Sequence, residues 1–180
     1  MRLGWLGMIA LACALAWFGW TPQAAAQSGL DISLEDYMKE VGSRAKLIPK
    51  GQLVIDGARK YCGSRPTVMD PQFDSWGGAY PGFLILNPDR LKGLPTAVKF
   101  YVYAHECGHQ FVGRDEEAAD CFAVKRGRRR GWLDATGMAQ ICAFISKLKG
   151  DGEHDAGTVR CEKMRACYNA VTPRSASTAD

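Results

Sequence analysis

The alternation of apolar and polar positions along the chain predicts short elements of both kinds. Leu34, Tyr37, Met38 and Val41 follow Ser33 at helical spacing, so a first helix is expected there. Residues 53–61 fit either a strand followed by a turn or a short helix broken at Gly57. Thr67 to Met69 is a short predicted strand, and the Gly-, Pro- and Asp-rich stretch from Asp70 to Gly82 reads as a loop. Phe83-Leu84-Ile85-Leu86 is an apolar run bounded by Gly82 and Asn87-Pro88, the pattern of a strand.

The second half reads as helical. Pro95 opens a helix that runs through Val98, Tyr101 and Val102 to His109 and stops by Gly113. Asp115 caps a second helix, Glu116 to about Arg126. Asp134 caps a third, with Met138, Ile141, Phe144, Ile145 and Leu148 on its buried face. There is no internal repeat and no second linker, so the expected fold is one small α+β domain, a helix pair packed on a short sheet.

The N-terminal pattern belongs to targeting rather than to this fold. Arg2 precedes an almost wholly apolar run from Leu3 to Trp20, and Ala24-Ala25-Ala26 offers a small-residue cleavage site. Residues 1–26 are therefore expected to be a secretory signal peptide, residues 27–174 the domain and residues 175–180 a frayed tail. The run is also long enough for an uncleaved anchor. Cleavage implies an exported chain, periplasmic or secreted, of 154 of the 180 residues, enough for a core.

Export changes how the cysteines are read. Removing Cys13 leaves six: Cys62, Cys107, Cys121, Cys142, Cys161 and Cys167. An even number in an oxidising compartment suggests up to three disulfides, against the alternative of buried thiols. Cys107–Cys121 and Cys161–Cys167 are the preferred pairs. The formal net charge of +4 is too mild for a nucleic-acid partner. The sharpest basic cluster, residues 125–130, reads as a solvated helix end or as a peripheral contact with an anionic envelope surface. Nothing fixes the oligomeric state.

The candidate chemistry lies in His105-Glu106-Cys107-Gly108-His109. Helical residues four apart sit one above the other, so both imidazoles can reach one metal ion, with Glu106 beside them as base. A hydrolytic zinc site takes three protein ligands and keeps one position open. Glu116, at the start of the next helix where the dipole favours a carboxylate, is the expected third ligand, and Glu117 ranks second. Asp120, four residues on from Glu116, can orient a ligand histidine through its outward nitrogen.

These motifs resemble those of the gluzincin metallopeptidases related to the membrane-bound prenyl-protein and heat-shock zinc proteases, which have soluble periplasmic cousins. The shared pattern is His-Glu-x-x-His, then Glu-x-x-Ala-Asp, here Glu116 to Asp120, then His-Pro with Arg six residues after the His. His154 and Arg160 keep that last spacing, while Asp155 replaces the proline. The link between His109 and Glu116 is much shorter than in the membrane enzymes. Small exported bacterial proteins that pair His-Glu-Cys-Gly-His with Ala-Asp-Cys are a nearer likeness, and they favour the Cys107–Cys121 bridge.

The resemblance implies a compact zincin-like domain with one zinc ion per chain and metalloendopeptidase activity. It implies Glu106 as general base, and His154 and Arg160 as donors to the transition-state oxyanion. The substrate would be a polypeptide, such as an unfolded envelope protein, lying along Phe83 to Leu86 as edge strand. The other reading is a zinc-binding envelope protein that keeps the scaffold without turnover.

Overall fold

The computed structural model describes residues 32–152 and 154–172. The expected leader and tail lie outside them. The first helix, α1 (Leu34–Val41), starts where Ser33 Oγ accepts a hydrogen bond from the Asp36 amide. A single 3₁₀ turn leads from it to β1 (Lys46–Ile48). Then come β2 (Leu53–Ile55), β3 (Ala58–Lys60), β4 (Thr67–Met69), β5 (Gly77–Tyr80) and β6 (Phe83–Leu86). The helices α2 (Pro88–Leu91), α3 (Thr96–Val112), α4 (Glu116–Arg129), α5 (Ala135–Ile145) and α6 (Gly157–Asn169) complete the domain. None of the helices among the described residues is long and apolar enough to cross a membrane.

The open reading of residues 53–61 resolves as a hairpin. Strands β2 and β3 pair antiparallel about Asp56-Gly57, both at positive φ, which the tight turn requires. The main sheet has the order β1-β4-β6-β5, with β4 and β6 parallel and the other pairs antiparallel. All four residues of β6 are fully buried, because the strand is interior and both of its faces are covered. Phe83 and Ile85 pack towards Tyr37 and Val41 of α1, and Leu84 and Leu86 pack into the helical core around Val98, Val102 and Ile141. The fold is thus α+β, with the sheet between α1 and the larger helical layer.

Two expectations about the sheet are corrected. The stretch from Asp70 to Gly82 is not all loop, since residues 77–80 form β5. Nor is β6 an edge; β5 is the edge on the side of α3. Gly77 explains why β5 hides from a hydropathy pattern. A Cβ there would lie 2.8 Å from Glu106 Cγ and 3.1 Å from Val102 Cγ1, so only glycine lets the strand pass this close to α3.

Helix α3 turns into α4 through Gly113, whose φ of 72° ends the first helix, and Asp115, whose carboxylate caps the second. The pair runs antiparallel, with His109 beside Glu116 and His105 beside Asp120. Gly108 permits the close approach: a Cβ on it would meet the Ala119 backbone at 3.2 Å.

The disulfides join Cys62–Cys107, Cys121–Cys167 and Cys142–Cys161. The domain is therefore disulfide-stabilised, but neither expected pairing is made. Cys161 and Cys167 share α6 and stand about 9 Å apart along its axis, beyond disulfide reach. Cys107 points away from the histidine face of α3, towards the loop that carries Cys62. The bridges tie that loop to α3 and clamp α6, which the sequence pattern did not reveal, to both α4 and α5.

Candidate metal centre

Two histidines one turn apart on α3 and the first residue of α4 converge on one point. His105 Nε2 lies 3.1 Å from His109 Nε2 and 3.1 Å from Glu116 Oε2, and His109 Nε2 lies 3.3 Å from Glu116 Oε1. Zinc–nitrogen bonds of 2.0–2.1 Å in a tetrahedron place neighbouring ligand atoms about 3.3 Å apart. The two imidazole nitrogens, and the Glu116 oxygen facing each of them, are separated by distances of this size. His105, His109 and Glu116 are the group among the described residues that could hold a metal ion. It numbers three protein ligands, the set that leaves a position open, rather than the four of a closed structural site.

The outward ring nitrogens reinforce this. His109 Nδ1 is 2.7 Å from the Gly113 carbonyl, which can only accept, so Nδ1 carries a proton, and a neutral ring would present its Nε2 lone pair inward. His105 Nδ1 lies 2.8 Å from Asp120 Oδ1, in the same arrangement. Glu116 Oε2 is buried and has no hydrogen-bond donor in good geometry, a polar atom of the kind that a bound cation would satisfy.

Asp120, 2% exposed, is the centre of a buried network. Arg160 donates to it through Nε (2.8 Å, to Oδ2) and Nη2 (2.9 Å, to Oδ1). Tyr101 donates its hydroxyl to Oδ1 at 2.5 Å and accepts from Arg160 Nη2 at 3.2 Å. Arg160, expected to face the oxyanion, thus has two of its nitrogens engaged behind the ligand shell. Those two nitrogens hold Asp120, and the residue also borders the clefts beside the centre.

The second candidate carboxylate, Glu117, turns aside to Lys163 Nζ (2.7 Å), which also donates to Asp155 (2.8 Å). His154 is brought into the site from the loop before α6. Its Nε2 is 3.0 Å from Glu116 Oε2, and its Nδ1 is 3.1 Å from Asp151 Oδ1. The Asp151 carboxylate also accepts the His154 backbone N–H at 2.7 Å and so fixes the ring's position. Sequence reasoning passed over Tyr101, Asp151 and Lys163. Asp151, three residues before His154, was the readable one, as a short acidic partner for a loop histidine.

The charges follow from these contacts. Burial opposes ionisation of Glu116 and Asp120, but the close His105 and His109 rings for Glu116, and hydrogen bonds from His105 and Arg160 for Asp120, hold both carboxyls well below the usual range. Burial lowers the His105 pKa, yet Asp120, Glu116 and nearby Glu106 outweigh it and push the metal-free ring up to about 10. Glu106 is pushed up, first by burial.

Two clefts meet beside the centre. One, of about 290 Å³, runs past Glu106 between Trp76, Val102, Phe144 and Leu148. The other, of about 370 Å³, opens over Glu116 and Lys163. His154, Asp151 and Arg160 line both.

No family model matches the chain, and no curated protein or solved structure matches it. The site's meaning rests on its own geometry.

Proposed function

We propose that this chain is an exported zinc-dependent metalloendopeptidase of the gluzincin type, with His105, His109 and Glu116 as metal ligands. The observation that carries the reading is the convergence of two imidazole nitrogens and the Glu116 carboxylate, with separations of 3.1–3.3 Å, beside a cleft lined by His105, Glu106 and His154. When bound, zinc would polarise a carbonyl and bring the pKa of water towards neutrality.

The chain's own residues do the rest. Glu106 accepts a proton from the attacking water at its carboxylate and returns it to the leaving amine. His154, oriented by Asp151 at Nδ1, would donate from Nε2 to the carbonyl oxygen when both of its ring nitrogens carry protons. Arg160 and Tyr101 keep Asp120 ionised and aimed at His105, so that the ligand ring neither rotates nor changes tautomer. The outer edge of β5, next to Glu106, offers main-chain groups to an extended polypeptide, and unfolded envelope protein is the substrate class that fits such a site.

The test is Glu106→Gln. The variant should retain about one zinc per chain and lose cleavage of an unfolded polypeptide by at least about 100-fold, the scale of general-base catalysis. Undiminished cleavage would overturn the mechanism. Zinc without cleavage in the unsubstituted chain would favour a zinc-binding envelope protein on the same scaffold.

A further inference from the structure

The face of α3 opposite the histidines carries a third, chemically different cleft. It has a volume of about 100 Å³ and is lined by Arg59 and Lys60 of β3, Phe100 and Tyr103 of α3, Arg126 of α4, and Arg130 and Trp132 just beyond it. No carboxylate lines it, and none of the described residues forms an ion pair with Arg59, Lys60, Arg126 or Arg130. Lys60 Nζ sits 3.0 Å above the centre of the Phe100 ring, with Trp132 at 5.7 Å. The ammonium is thus held by aromatic faces in place of an anion.

Three features make this more than a solvated basic surface. The cations come from elements far apart in sequence, the hairpin and the end of α4, and the fold converges them on one concavity. Arg126 is fixed from below: its Nη2 donates to the Tyr61 carbonyl (2.7 Å) and its Nη1 to Cys107 Sγ (3.2 Å), so it cannot swing away to relieve repulsion. Burial first, and then repulsion from Arg126 and Arg130, push the Lys60 pKa down to about 8. The α4 C-terminal dipole offsets roughly half a charge, too little against four cations.

We propose that this cleft is a binding site for a phosphate group, with Lys60 and Arg130 as its principal donors and Arg126 as a fixed wall. The volume admits a phosphate and leaves no room for an attached ring within it, so the rest of any ligand projects into solvent. A dianionic oxyanion offers more charge and more acceptor oxygens to converging ammonium and guanidinium groups than a chloride or a single carboxylate does. The group can arrive as free phosphate or as the monoester headgroup of an anionic lipid. This site is independent of the metal centre and of the proposed activity.

Titration calorimetry of the folded chain with inorganic phosphate, at constant ionic strength with chloride as the balancing anion, tests the proposal. Saturable binding is expected, weakened about ten- to a hundredfold by Lys60→Gln and by Arg130→Gln, the effect of losing one charged hydrogen bond. Lys92→Gln, an exposed cation elsewhere, should leave it unchanged. Circular dichroism and thermal melting of each variant separate a lost site from a lost fold. Absence of saturable binding, or equal weakening by Lys92→Gln, would overturn the proposal. Vesicles of phosphatidylcholine with and without phosphatidic acid then distinguish the sources. Lys60-dependent binding to the acidic vesicles identifies a lipid headgroup, whereas binding of free phosphate alone identifies a soluble ligand.

Discussion

The two faces of α3 handle charge in opposite ways. On one face, His105, Glu116, Asp120, Arg160 and Tyr101 form a closed network in which each buried charge has a partner of opposite sign. On the other, Lys60, Arg126 and Arg130 crowd together with aromatic rings where a counter-ion would be. The difference teaches what each face lacks. The first has donor atoms spaced for a cation but balances its own charge; the second has an excess of positive charge that only a ligand from outside can balance.

The sharpest way to break this comparison is to remove a ligand from the first face. His105→Ala or Glu116→Ala should reduce zinc from about one to about zero per chain by elemental analysis after dialysis. Asp120→Asn should keep the metal but weaken it about 10- to 100-fold in chelator competition, the usual cost of losing a histidine's outer partner. It should also destabilise the fold by about 3–5 kcal/mol by leaving the buried Arg160 uncompensated, as denaturant melts would show.

Next in size is the bridge that runs beneath both faces. Cys62 and Cys107 close a loop of sequence separation 45, so replacing both with Ala should cost about 4 kcal/mol of stability on the loop-entropy account. Chemical denaturation under non-reducing conditions measures this. The loss should be accompanied by weaker zinc binding, because Cys107 anchors the helix that carries both histidines.

The pH dependence of the metal-free chain separates the faces by sign. His105, facing Asp120, Glu116 and Glu106, has a folded pKa raised to about 10. Its contribution is complete below the unfolded value of about 6.5 and is lost as pH rises towards 10. Lys60, facing Arg126 and Arg130, has a folded pKa lowered to about 8, so its penalty is relieved as pH rises from about 8 to about 10.5. In denaturant melts across this range, His105→Gln should flatten the fall and Lys60→Met should steepen it. A shared slope for the two variants would contradict the contrast.

The smallest effect is expected at the border. Glu117→Ala removes an exposed contact with Lys163 and should leave zinc content and melting temperature unchanged. A loss of zinc there comparable to that of Glu116→Ala would reassign the ligand.

The metal face was legible in the sequence because its parts are local. The i, i+4 histidines, the Asp115 cap and the four-residue step from Glu116 to Asp120 are properties of single helices, and a short link brings those helices together. The sheet was less legible for reasons that residues make plain. Gly77 marks a strand whose side chains had to vanish beneath Glu106, so β5 carried no apolar signal. The unbroken run Phe83 to Leu86 signals burial on both faces, which an edge strand does not have. Asp56-Gly57 was a readable hairpin turn. The cationic cleft was not readable, because it joins Lys60 to Arg126 across a fold that neither segment encodes alone. The disulfide partners are of the same non-local kind.

Two imidazoles and one carboxylate should hold a metal with a position left open. X-ray absorption at the zinc edge of the zinc-loaded chain tests it directly. Two imidazole nitrogens near 2.0–2.1 Å are expected, with only oxygen in the remaining positions. A shell containing sulfur, three or more imidazoles, or no specifically bound zinc at all would contradict it.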